Sequence, residues 1–274
     1  MVRRLTAVAA GLGVMLVGAL AHAQTDGGSF GNQGEFIFSA NRLFPVIGYS
    51  RESQDQAGQL PPGVNKISNS EDSSGIGFFW GGSPGYSVDL GNGSAATLPN
   101  VFTVPRLGFD YTIIPNVTIG GDIVAFFTLG GSQSSEVDNN SGGKQTTSVS
   151  EPKSTIFGIA PRGGYILRLT DMFALWLRGG VSFYTASVKQ TVDANNNQVT
   201  TSVNFNQFAL DLDPQLVITP IPHFGFTAGL TADIPIAGGH SVSVDQPNSS
   251  TSVSAGSSLM FIGVTGGIIG WFGG

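Results

Sequence analysis

From residue 35 onward the chain alternates between two textures. In one, large apolar residues recur at every second position. In the other, Ser, Asn, Gln, Gly and Asp prevail. Period-two patterning predicts β-strands, and the 3.6-residue helical period is missing from these segments. Eight strands are predicted, at 35–49, 101–114, 116–129, 155–169, 172–189, 203–219, 223–237 and 258–272. In the second, Leu107, Phe109, Tyr111 and Ile113 interleave with Arg106, Gly108, Asp110 and Thr112. Ile119, Ile123 and Phe127 oppose Thr118, Gly120 and Asp122; Phe157, Ile159, Tyr165 and Leu167 oppose Arg162, Gly164 and Arg168. Leu175, Leu177 and Phe183 oppose Trp176, Arg178 and Ser182. Phe208, Leu210 and Leu212 oppose Gln207, Asp211 and Asp213, and Phe226, Leu230 and Ile234 oppose Thr227, Thr231 and Asp233.

The end strands are less regular. Phe36, Phe38 and Ala40 share a face that Arg42 would continue, so a β-bulge at Asn41 to Leu43, or a position at a membrane rim, is needed. In the last strand Ile262, Val264, Ile268 and Phe272 point one way, and Thr265 and Trp271 the other.

The connections alternate as strictly as the faces. Pro115–Asn116, Thr170–Asp171 and Pro220–His223 are short and carry turn-forming residues, whereas 50–100, 130–154, 190–202 and 238–257 are long. Tight turns at one end, long loops at the other and an even strand number describe a transmembrane up-and-down barrel with its turns in the periplasm. Each segment exceeds the ~9–11 residues that a tilted strand needs to cross a bilayer. A soluble sandwich shows the same alternation with the faces reversed. The strand lengths, the glycines on the polar face and the lysines favour the membrane orientation: Lys66, Lys144 and Lys153 fall in loops and Lys189 at a strand end.

Residues 1–23 read as a cleaved signal peptide, with Arg3 and Arg4 ahead of an apolar run and Ala21-His22-Ala23 as the cleavage motif. Residues 24–34 are expected to be a flexible lead-in and 35–274 the barrel domain. Cleavage removes two arginines and takes the formal charge of −6 to −8.

Composition then narrows the classes. The 274 residues include 40 Gly but no Cys, which excludes disulfide scaffolds and cysteine nucleophiles. With 12 basic against 18 acidic residues, the chain lacks the clustered positive charge that nucleic acid requires. No pair of residues at metal-ligand spacing is present, so no metal and no cofactor is expected. His240-Ser241 with Asp245 nearby has the residue types of an acyl-transfer triad, but adjacency in a loop supplies neither an oriented base nor an oxyanion hole. No catalytic residue is assigned.

The signal peptide, the eight alternating strands, the tight turn Ile113-Ile114-Pro115-Asn116-Val117-Thr118 and the ending Gly270-Trp271-Phe272 resemble the small OmpA/OmpX-type outer-membrane barrels. The resemblance implies an outer-membrane location, lipid as a partner and recognition of the C-terminal strand by the barrel-insertion machinery. In that family the chain usually ends on the aromatic residue; here Gly273 and Gly274 follow Phe272.

The inward set contains Arg106, Arg162, Arg168 and Arg178 with Asp110, Asp122, Asp211, Asp213 and Asp233. An eight-stranded barrel has room inside for little more than side chains, so these charges are expected to pair in a lumen network. In the first long loop, Gly75–Trp80 and Tyr86–Leu90 alternate. They are expected to be the arms of an extracellular hairpin, or two further membrane strands giving ten. Phe78, Phe79, Trp80 and Tyr86 are its candidate partner-contact aromatics.

The leading expectation is a monomeric, non-enzymatic outer-membrane barrel with a structural or surface-interaction role. The alternative is a small pore or transporter, and a third reading is a secreted soluble barrel for an apolar ligand.

Overall fold

The computed structural model describes residues 30–56, 67–76, 86–89, 95–98, 102, 104–128, 132–139, 143–150, 153–194 and 197–274. The segment read as a signal peptide and the aromatics Phe78, Phe79 and Trp80 lie outside them. The strands are β1 (Phe36–Gln56), β2 (Ile67–Ile76), β3 (Tyr86–Asp89), β4 (Ala95–Leu98), β5 (Arg106–Ile114), β6 (Val117–Phe127) and β7 (Ser132–Asn139). They continue with β8 (Gly143–Ser150), β9 (Lys153–Arg168), β10 (Phe173–Ala194), β11 (Asn197–Leu212), β12 (Gln215–Ile221), β13 (Phe224–Gln246) and β14 (Ser249–Phe272).

Nine of these strands close a hydrogen-bonded antiparallel ring: β1, β5, β6, β9, β10, β11 with β12, β13 and β14, the last pairing back onto β1. Closure removes the unpaired edges that would otherwise seek another chain. The predicted strand 203–219 is divided at Asp213–Pro214, and β11 and β12 lie end to end between β10 and β13. Proline has no amide hydrogen to give the ladder, but Asp213 N donates to Arg178 O at 2.9 Å and carries the pairing across the break.

The short turns form as their residues dictate. Asn116 (φ 69°) and His223 (φ 63°) adopt the left-handed conformation that a tight reversal requires.

Much of the expected loop sequence is paired strand. Past the ring, β10 and β11 continue to Ala194↔Asn197, β13 and β14 to Gln246↔Ser249, and β1 pairs β2 from Ile47↔Ile76 to Gln56↔Ile67. With β7 and β8 joined through Val192↔Val149, they make a projecting sheet in the order β2-β1-β14-β13-β11-β10-β8-β7. Tyr86–Asp89 pairs with Ala95–Leu98 in a separate two-stranded sheet. Ile76 and Gly75 belong to β2. Residues 77–80 and 90 of the expected hairpin lie outside the described residues.

The faces follow the alternation. Leu107 and Phe127 are each 63% exposed and Leu230 60%, whereas their polar neighbours Arg106, Asp122 and Thr231 are buried. The irregularity in β1 sits where the misplaced arginine demanded it. Register slips between Ala40 and Phe44, and Arg42 takes φ 56°. The slip turns Arg42 from the outer face to the interior, where it is 2% exposed.

Candidate functional site

Inside the ring, charged side chains occupy a middle tier between two apolar clusters. The first half of that tier is a square of two arginines and two aspartates. Asp211 and Asp233 are direct cross-strand partners on β11 and β13, and two like charges so placed repel. Arg42 and Arg106 bridge them. Arg42 donates from NH1 to Asp233 Oδ2 at 2.6 Å and from NH2 to Asp211 Oδ1 at 3.2 Å. Arg106 donates from NH1 to Asp211 Oδ2 at 2.7 Å and from NH2 to Asp233 Oδ1 at 3.4 Å. Arg42 also reaches Thr231 Oγ1 at 2.6 Å and the Phe102 carbonyl at 2.5 Å.

The second half centres on Arg162. Its Nε and NH2 grip Asp110 at 3.1 and 2.5 Å, and NH1 donates to Asp122 Oδ2 at 2.6 Å. Asp213 accepts from both Arg178 NH2 and Gln215 Nε2. Asn41 links the parts: its Nδ2 donates to Asp122 Oδ1 at 2.9 Å, and its Oδ1 accepts from Arg178 NH1 at 3.1 Å. Since Asn41 and Arg42 are consecutive, the register slip between Ala40 and Phe44 feeds both halves. Such bidentate, charge-assisted bonds offset the cost of removing the ions from water.

Glycines make the room. A Cβ on Gly108 would strike Asp122 and Arg162, one on Gly120 would strike Asp110, and one on Gly180 would strike Arg162. These three glycines thus flank the ion pairs across the ladder.

An apolar seal lies at each end of the network. On the loop side, Phe102, Val104, Val124, Ile156, Tyr184, Phe205, Leu259 and Phe261 pack together. Phe102, from the connection into β5, turns its ring onto Tyr184 at 5.2 Å. On the turn side, Phe30 stands between Trp176 and Trp271, at 5.6 and 5.2 Å. Ile37, Ile166, Ala174, Val217 and Ile269 complete that cluster. Arg178 lies over the Trp176 ring at 4.5 Å, which joins the seal to the network.

Phe30 is held by its own segment. Asn116 N donates to Gly31 O at 2.9 Å, Gly34 N to Thr112 O at 2.9 Å, and Gly31 N to Glu35 Oε2 at 2.7 Å. Residues Phe30 to Gly34 are therefore docked, contrary to their expected role as a flexible lead-in. Burial pushes the Glu35 carboxyl above its ordinary value, opposed by the amides of Gly31 and Asn32 and by Arg168. The sign follows from linkage: the proton is bound more tightly in the folded state, so acid favours this docked arrangement and rising pH weakens it.

Of the nine charged residues predicted for the network, eight meet in it. Arg168 stands apart. It is exposed at the turn-side mouth, with Nε on the Phe30 carbonyl at 2.9 Å and NH2 on Asn32 Oδ1 at 2.8 Å. At the end of its strand it lies beyond the closed interior, so it ties down the docked segment instead. Sequence reasoning did not place Arg42, Asn41 or Phe30 in the interior. For Arg42 the signal was present, as a charge on an otherwise apolar face. Phe30, in a Gly- and Ser-rich stretch without periodicity, gave none. Tyr86 opens β3, in the small separate sheet. Among the described residues, no group of three or more His, Cys, Asp or Glu could hold a metal ion.

Phe30→Ala should cost about 3–5 kcal/mol, as for other large-to-small changes in packed sites. Lowering of the temperature at which the folded form is lost, with a smaller loss for Phe30→Leu, checks this.

No family model matches the chain, and no curated protein matches it. Among solved structures it is similar to Ail, the attachment invasion locus protein of Yersinia pestis. Identity is 12% over 88% of this chain and 99% of that one, with a TM-score of 0.28. A likeness this slight shows no family.

Proposed function

We propose that the chain is an integral outer-membrane β-barrel with a closed interior, exported by a signal peptide cleaved after Ala23. Its role is structural or in surface interaction rather than catalytic. The observation that carries this reading is the inverted distribution of polarity. The side chains inside the ring include four arginines and five aspartates, while the outer face exposes Leu107, Ile123, Phe157, Leu177, Leu210, Leu230 and Ile262. A water-soluble ring would reverse that arrangement, because continuous apolar surface of this extent is rare on soluble proteins. On lipid it is required.

Aromatic rings border the apolar band at both ends. Phe36, Phe38, Phe109 and Phe272 cluster toward the turns, and Phe127, Phe157 and Phe183 stand toward the loops. Phe173 and Phe183 share the outer face of β10. At ~3.3 Å per residue and a tilt near ~40° they are separated by ~25 Å along the barrel axis, the height of a barrel's lipid-facing band.

The two apolar seals and the paired charges between them support a barrel that does not conduct. In planar bilayers the purified full chain should show no stepwise conductance. Reproducible steps with salt-dependent ion selectivity would replace this reading with the pore or transporter.

A further inference from the structure

The outer face of β9 and β10 is layered in cross-strand pairs. Moving toward the loops, Phe183 pairs with Ile159, Thr185 with Phe157, Ser187 with Thr155 and Lys189 with Lys153. The layers run from a wholly apolar pair, through an aromatic beside a hydroxyl and then two hydroxyls, to a doubly cationic pair. That order matches a lipid leaflet read from its chains to its headgroups. The two lysines are exposed and directly opposite each other, an arrangement that repels when nothing lies between the charges. Neither forms an ion pair with the described residues. The acidic group nearest along β10, Asp193, lies four residues farther out, where its ladder partners are Gln198 and Ser148. On the other side, Lys189 neighbours Ser202, which adds a hydroxyl and no charge.

We infer that Lys153 and Lys189 together form a binding site for a phosphate group of an outer-leaflet lipid, with Thr155 and Ser187 below them facing the glycerol or sugar portion. A phosphate between the two ammonium groups turns their repulsion into a shared attraction, and the apolar layers beneath receive the acyl chains. The position of the pair one hydroxyl layer above the aromatic border is what selects a lipid headgroup over a free anion. The inference rests on the membrane reading above.

The test uses the full chain folded into phosphatidylcholine vesicles, with bisphosphorylated lipid A, dephosphorylated lipid A or inorganic phosphate added. Bound lipid is counted by native mass spectrometry. Each lysine near an anionic surface contributes about fivefold, so Lys153→Gln/Lys189→Gln should bind lipid A about thirtyfold more weakly. The single variants should fall between, and Lys153→Arg/Lys189→Arg should retain binding. Dephosphorylated lipid A should bind the parent chain as weakly as the double Gln variant binds the phosphorylated form. Unchanged lipid A binding in the double Gln variant would overturn the site. Equal competition by inorganic phosphate would overturn the lipid as its occupant. A chain that fails to fold into phosphatidylcholine vesicles alone would overturn the membrane reading and this site with it. Because that failure shows before any lipid A is added, it is distinguishable from loss of the site.

Discussion

Leu230→Arg should abolish stable insertion. Leu230 is 60% exposed on β13, between Phe226 and Ile234 on the same outward face. In the proposed orientation it points into the middle of the lipid band, where an arginine costs about 2–4 kcal/mol. The control must sit on the opposite face of the same strand. Thr231→Arg, which the alternation alone would nominate as tolerable in a lumen with room, is not that control. Thr231 is fully buried and its Oγ1 already accepts from Arg42 NH2 at 2.6 Å, so a fifth interior arginine has neither space nor partner. Thr231→Val keeps the shape and removes one acceptor, at about 1–3 kcal/mol. Membrane-fraction yield should fall to background for Leu230→Arg and persist for Thr231→Val. Equal behaviour of the two would contradict the assigned faces.

Arg162→Met should be the most damaging interior change. Arg162 is the ion-pair partner of two carboxylates, Asp110 and Asp122, from neighbouring strands, whereas Asp211 and Asp233 share two arginines. Breaking a buried ion pair by removing one partner costs about 3–5 kcal/mol, because the remaining charge stays out of water without compensation. The apolar triple replacement Arg162→Met/Asp110→Leu/Asp122→Leu should recover much of that loss, since no charge is stranded. Denaturation of the folded protein in detergent micelles, followed by loss of strand signal, measures both. If the single variant unfolds at the parent's denaturant concentration, the network does not hold the interior together.

How legible this was depended on what each residue faces. Where the buried side of a strand is polar and the exposed side apolar, the two faces must differ, and Leu107 to Ile113 or Phe208 to Leu216 carry that difference openly. Beyond the ring both faces are wet. Residues 241–254 therefore carry no large apolar side chain beyond Val242, Val244 and Val253, although β13 and β14 stay paired through them. Polar strands there read as loops. The network was legible as a set of inward charges because their parity was clean, but Arg42 was displaced by a bulge that shifts parity within four residues. Arg168 kept its parity and still lay apart, since a residue at a strand's end can leave the interior without changing face. Phe30 acts through packing at a chain segment with no period at all, and only its contacts with Trp176 and Trp271 disclose it.

The account turns on the apolar outer face meeting lipid around a closed, hydrogen-bonded ring. The most direct measurement is the migration of the protein from isolated outer membranes on a detergent gel, unheated against boiled. A folded barrel resists the detergent and runs as a compact band that shifts on boiling. The account predicts that shift, with the protein confined to the outer-membrane fraction. Protein free in the periplasm or medium, with no shift on boiling, would contradict it and make the apolar face a surface for something other than lipid.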